Sequence, residues 1–206
     1  TVHFPIWHPE IEDILVLKNN KGTEDNRVRR MDYSIQISKL FYERFINDKE
    51  ISLISPHQAP GLYDAFGTED FDDLYEKYEE DKSIPKKVVR AQDLFFDLLK
   101  ERAETGRIYI MNIDHCNTHS SFKDKISMSN LCQEITLPTT PIQHIDDEKG
   151  EIALCILSAI NVGTLNDLSE LQNLCDISVR ALDQIIDYQR YPVKAAEIST
   201  KARRSL

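Results

Sequence analysis

The chain has 206 residues, 41% of them apolar and 29% charged, with a formal charge of −10. That length suits one sizeable domain, and the composition is that of an ordinary globular protein. The acidic balance excludes the broad cationic surface that DNA, RNA or an anionic membrane would select, and much of it is concentrated between Glu69 and Asp81. No run of about 18 apolar residues occurs, and Thr1-Val2-His3-Phe4-Pro5 is no signal peptide. A cytoplasmic location is expected. Cysteines stand only at 116, 132, 155 and 175, without a Cys-x-x-Cys pair, so neither a secreted disulfide scaffold nor a zinc ribbon nor a thioredoxin-type centre is encoded.

His8-Pro9-Glu10 followed by Ile11, Ile14, Leu15 and Val16 predicts a short helix with proline in its first turn. After a basic loop carrying Arg27, Arg29 and Arg30, Ser34 is expected to cap a helix whose apolar face is Ile37, Leu40, Phe41 and Phe45. Ile51-Ser52-Leu53-Ile54 reads as a short strand stopped by Ser55-Pro56. Two helices are expected over about 70–82 and 86–104, the second with Val88, Ala91, Leu94, Phe95, Leu98 and Leu99 on one side. Gly106 ends it, and residues 107–113 read as a strand by their β-branched and aromatic content. Residues 114–127 are polar and irregular. The apolar run 151–160 is ambiguous, its length favouring a strand. The longest helix is expected from Asn166 or Asp167 to about Tyr188, broken before Tyr191-Pro192, with no obvious terminal element after it. Helices alternating with short buried strands indicate an α/β fold.

The most unusual stretch is Ser129-Asn130-Leu131-Cys132-Gln133-Glu134-Ile135-Thr136-Leu137-Pro138. If it is extended, the amide of Asn130, the thiol of Cys132 and the carboxylate of Glu134 share one face over roughly 13 Å. A structural strand would place apolar groups on one face, so sulfur chemistry with an acid–base helper is indicated. Taken alone the pattern is short, and an unpaired cysteine is commonly a small buried hydrophobe. Cys155 inside its apolar run and Cys175 beside Leu171, Leu174 and Ile177 read as packing residues on the same ground. Asp114-His115-Cys116-Asn117-Thr118-His119 has a Cys-x-x-His spacing but no second matched pair to complete a zinc site. The three arginines could hold a phosphate or simply form a solvated loop, and no glycine-rich phosphate loop is present.

Several segments, in collinear order, resemble the large (catalytic) subunit of class I ribonucleotide reductase. They are Trp7-His8-Pro9-Glu10, Leu17-Lys18-Asn19-Asn20, Asn26-Arg27-Val28-Arg29-Arg30-Met31-Asp32-Tyr33 and Pro60-Gly61-Leu62-Tyr63-Asp64-Ala65-Phe66. They continue with Thr105-Gly106-Arg107-Ile108-Tyr109-Ile110, Asp114-His115-Cys116-Asn117-Thr118-His119-Ser120 and Ser129-Asn130-Leu131-Cys132-Gln133-Glu134-Ile135. Gly150-Glu151-Ile152-Ala153-Leu154-Cys155 and Leu157-Ser158-Ala159-Ile160-Asn161-Val162-Gly163 complete the set. Each is weak alone; their common order is specific.

The resemblance implies that residues 1–206 are a central segment of the family's ten-stranded α/β barrel, incomplete in this chain, with no separate second domain and with the radical cysteine on an inserted central loop. It gives Cys132 the role of the thiyl radical that abstracts the 3′-hydrogen of a ribonucleoside diphosphate. Glu134 becomes the base for the 3′-hydroxyl, in a water-poor pocket that would raise its pKa, and Asn130 the amide that binds the substrate hydroxyls. Cys155 becomes one of two cysteines that reduce the 2′ position and finish as a disulfide; its partner lies outside this chain. The segment itself is expected to bind no cofactor or metal. The implied partners are the rest of the large subunit, the full subunit being expected to form a homodimer, a metal-containing small subunit that supplies the radical, thioredoxin or glutaredoxin as electron donor, and ATP or deoxynucleoside triphosphate effectors on the full subunit. Two other readings stay open: a non-catalytic or split-gene fragment that acts by assembling with the remainder, and a hydrolase using Cys132 with His115 or His119. The chain has no initiator methionine, which is the expectation of a piece of something larger.

Overall fold

The computed structural model describes residues 1–206 as two compact units, Thr1–Ile126 and Ser127–Leu206. The first is built on a parallel sheet in the order β1-β2-β5, from β1 (Val2–Pro5), β2 (Tyr33–Ile37) and β5 (Tyr109–Asn112). Phe4 registers with Ile35, and Ile35 with Ile110. All five residues of the central strand are buried. Tyr33, Ile35 and Ile37 alternate with Ser34 and Gln36, so both faces of β2 are covered, as parallel strands require.

Ser34 therefore lies in a strand, contrary to the expected cap. The cap is Ser38, whose hydroxyl accepts from the Phe41 amide ahead of α2 (Lys39–Ile46). The short helix α1 (Ile11–Leu15) buries Ile11, Ile14 and Leu15, with Pro9 lying before it rather than within its first turn. The expected strand at Ile51–Ile54 forms as β3 (Glu50–Ile54). It pairs antiparallel with β4 (Lys86–Arg90), which corrects the helix expected from 86. Val88 and Val89 are β-branched and meet Ser52 and Ile51 across the ladder. Strand pairing outweighs the helical spacing that Val88 shares with Ala91, and α5 (Ala91–Thr105) starts only after it. Gly106, at φ 66°, closes that helix in the left-handed region. The strand expected over 107–113 is shorter, and Ile113 opens α6 (Ile113–Thr118) in a stretch expected to be irregular.

Between these pieces lie α3 (Leu62–Ala65) and α4 (Phe71–Glu80). Trp7, Phe66, Phe71 and Tyr75 form a buried aromatic run, with Phe66 and Phe71 centroids 4.7 Å apart. The Tyr75 hydroxyl donates to Ser52 O at 2.6 Å and accepts from Ser52 N at 2.8 Å, tying α4 to β3.

In the second unit, β6 (Met128–Ser129) and β7 (Thr136–Leu137) form a small antiparallel hairpin. Residues 151–160 are neither strand nor helix. Their amides bond singly, Glu151 N to Thr140 O, Ile152 N to Ala195 O and Ile156 N to Ser205 O, so no ladder forms. The long helix appears as α7 (Glu170–Tyr188), and an unexpected α8 (Lys194–Arg203) follows Pro192. Arg204, after α8, bonds Asp183 Oδ1 at 2.6 Å and Asp187 Oδ1 at 3.2 Å, two carboxylates one helical turn apart on α7. No helix is long and apolar enough to cross a membrane.

The half-buried Glu79 illustrates how charge is held in the first unit. Burial alone would raise its pKa, but hydrogen bonds from Arg44 and Ser52, with the Arg44 charge, hold it below its ordinary value of 4.5. A depressed carboxyl pKa stabilises the fold above the ordinary value, and that contribution is lost as pH falls through the folded value. The stability advantage of this chain over its Glu79→Gln variant is expected to hold from neutral pH down to about 4.5 and to shrink as pH falls below it. Urea unfolding at a series of pH values measures it; a constant difference would contradict the ion-pair account.

Candidate functional site

The hairpin does not present its reactive residues as an extended strand. Only Met128–Ser129 and Thr136–Leu137 pair. Between them the chain turns, with Gln133 N bonding Asn130 O at 3.3 Å and Gln133 in the left-handed region at φ 63°. Asn130, Cys132 and Glu134 thus sit on a tight loop, and the shared strand face expected for them is absent. The physical reason is that a left-handed residue at 133 breaks the period-two alternation between 132 and 134.

Asn130 organises the loop. It is 2% exposed. Its backbone N–H donates to Ile135 O at 3.1 Å, and its side-chain Oδ1 accepts from Ile135 N at 3.0 Å. Its Nδ2 donates to Cys155 Sγ at 2.6 Å, and the Cys155 thiol in turn donates to Glu134 Oε1 at 3.2 Å. Three of the four residues singled out from the sequence are therefore joined in one hydrogen-bonded chain. Cys132 lies on the same loop and is exposed. Sequence reasoning missed the second task of Asn130, that of holding its own loop. Asparagine near a turn commonly bonds nearby backbone in this way.

The electrostatics separate the two acids. Burial pushes the Cys155 thiol up to about 11, the Glu134 carboxylate pushes in the same direction, and the Asn130 donor opposes them. Glu134 moves the other way. Its own backbone N–H, then the Cys155 thiol and the Asn130 amide, hold it below the ordinary carboxylate range against a small cost of burial. In this chain the Glu134 side chain is exposed and supplied with donors, which is why its pKa is held down. At neutral pH the pair is a protonated thiol facing an ionised carboxylate.

The other sequence candidates lie apart in chemistry. Cys116, on α6, packs against the core of the first unit, and Cys175 lies mid-way along α7. His115 and His119 meet edge to face at 5.5 Å. Arg27 bonds Asn19 O and Asn26 O, while Arg29 pairs with Glu24 at 2.5 Å, so both hold their own loop.

Replacing Glu134 by Gln removes the charge that opposes ionisation of Cys155. The Cys155 pKa is then expected to fall from about 11, with alkylation at pH 8 faster by roughly tenfold for each unit of fall. Peptide-resolved iodoacetamide labelling measures this, and an unchanged or slower rate would contradict the thiol–carboxylate contact.

A family model described as the ribonucleotide reductase barrel domain matches residues 1–206. The chain is 57% identical over 211 aligned residues to the ribonucleoside-diphosphate reductase subunit alpha of Haemophilus influenzae, covering 100% of this chain and 28% of that protein. It is 54% identical to the ribonucleoside-diphosphate reductase 1 subunit alpha of Escherichia coli, with the same coverage. Against the subunit alpha of Enterobacteria phage T4 the identity is 45%, over 98% of this chain and 28% of the relative. The chain thus spans little more than a quarter of the length of these relatives, about 28%. Matched from end to end, the mixed α/β chain that carries this hairpin belongs to the ribonucleotide reductase barrel-domain family.

Proposed function

We propose that this chain is the part of a ribonucleoside-diphosphate reductase large subunit that carries the hydrogen-abstracting cysteine. The observation that supports the reading is the linkage of Asn130, Glu134 and Cys155 around the loop bearing Cys132, in a chain of this family. Cys132, as a thiyl radical on a loop inserted in the completed ten-stranded barrel, takes the 3′-hydrogen of the substrate. Glu134, already ionised, accepts the 3′-hydroxyl proton, and Asn130 binds the substrate hydroxyls. The 2′-hydroxyl leaves as water while two electrons come from Cys155 and a second cysteine beyond this chain, which close a disulfide. Cys132 then recovers its radical when hydrogen returns to the 3′ carbon.

The remaining parts belong to the complete enzyme. A metal-containing small subunit supplies the radical, thioredoxin or glutaredoxin restores the thiols, and ATP or deoxynucleoside triphosphates act elsewhere on the large subunit. Completion of the barrel supplies the water-poor surroundings that radical sulfur and a stronger base need.

In the full-length large subunit assembled with its small subunit, Cys132→Ser is expected to lower ribonucleoside-diphosphate reduction by roughly a thousandfold or more. Retained turnover would sink the assignment.

A second reading, that the segment acts by assembling with the remainder of the subunit, has its own support. Ile177, Ile185 and Tyr188 lie on one side of α7 and are 56%, 45% and 89% exposed. The isolated chain is expected to self-associate on size-exclusion chromatography. A monodisperse monomer at high concentration would count against this reading.

A further inference from the structure

We infer that Asn130 is a positioning residue for the thiol of Cys155, one side-chain amide both fastening the hairpin turn and aiming that thiol at Glu134. The inference deepens the proposed function, since the value of aiming Cys155 rests on its reading as a reducing cysteine.

An amide side chain offers one acceptor oxygen and two N–H donors. Here Oδ1 takes the Ile135 amide at 3.0 Å, and Nδ2 donates to Cys155 Sγ at 2.6 Å while also favouring the charged form of Glu134. Both ends are committed, and the residue is buried. Residue 130 is thus held at the rim of the turn from two sides, by the Ile135 backbone and by a sulfur 25 positions further along the chain.

Cys155 needs such a partner because the backbone around it is irregular. Residues 151–160 form no ladder, so no strand register orients the side chain. The two hydrogen bonds at Sγ, one accepted from Asn130 and one donated to Glu134, supply the orientation instead. The titratable groups that face the sulfur are Glu134 and Cys132. On the same segment Glu151 pairs with Arg203 at 3.1 Å and accepts from the Thr140 hydroxyl at 3.2 Å. A donor at Nδ2 stabilises the thiolate, whereas the Glu134 carboxylate destabilises it. Asn130 therefore limits how far the thiol is pushed toward permanent protonation while keeping its proton directed at Glu134.

The two tasks of the amide can be separated. Asn130→Asp keeps an oxygen to accept from Ile135 N–H but replaces the donor to Cys155 with a charged oxygen. In the full-length subunit, Cys155 of this variant is expected to be alkylated by iodoacetamide about tenfold more slowly at about pH 8, one pKa unit being tenfold in thiolate. Exchange protection of the Ile135 amide should be kept. Labelling as fast as in the parent, or faster, overturns the inference, because loosening alone would expose the thiol and speed its reaction. Should Asn130→Asp fail to fold, Asn130→Ala provides the second reading: protection at Ile135 must be lost, and retained protection overturns the fastening role. Failure of the proposed function is distinguishable. Full reductase turnover by Cys155→Ser would remove the reducing role of Cys155 and leave the Asn130→Asp labelling result standing.

Discussion

The candidate site depends on one side chain that bonds at both its amide oxygen and its amide nitrogen. Asn130 is buried, and a buried amide with an unmet donor or acceptor is costly. Its oxygen closes the turn on Ile135, and its nitrogen reaches Cys155. The same economy explains why a two-residue pairing on either side suffices to hold the hairpin. The turn is secured by side chain to backbone bonding as much as by the ladder, and Gln133 can be carried in the left-handed region within it.

The chemistry follows from the opposite pulls on neighbouring acids. Cys155 is held protonated by burial and by the Glu134 charge, and Glu134 is held ionised by the donors around it. Two groups pushed apart in pKa can exchange roles as proton holder and proton acceptor without both being charged together. Cys132 stands outside this hydrogen-bonded chain and exposed, on a loop whose neighbours are otherwise committed.

The first unit is built on different physics. Its β1-β2-β5 sheet is parallel, and the central strand is covered on both faces, so its register is set by burial. The aromatic run from Trp7 to Tyr75 and the two hydrogen bonds between the Tyr75 hydroxyl and the Ser52 backbone bind the antiparallel β3–β4 pair to the helix α4. Charge in this unit is arranged locally: Arg44 meets Glu79 at 2.7 Å and lies over the Tyr75 ring, and the arginines before β2 brace their own loop.

From the sequence alone the α/β class, strand β3, helix α7 and the residues of the site could all be read, because each leaves a local trace. Ile51–Ile54 shows its β-branched content, α7 its helical spacing, and Asn130, Cys132 and Glu134 their unusual residue types in a collinear family pattern. Tertiary structure decided what depends on a distant partner. Val88 and Val89 became strand because β3 offered an edge, Ser34 was claimed by a parallel neighbour on each side, and 151–160 stayed irregular because its amides bonded singly to distant carbonyls. At the site, the residue types were legible, but the left-handed Gln133 and the reach of Asn130 across 25 positions to Cys155 were not. Local propensity reports the preferences of a few neighbouring residues, whereas a hydrogen bond between distant positions exists only once the chain has brought them together.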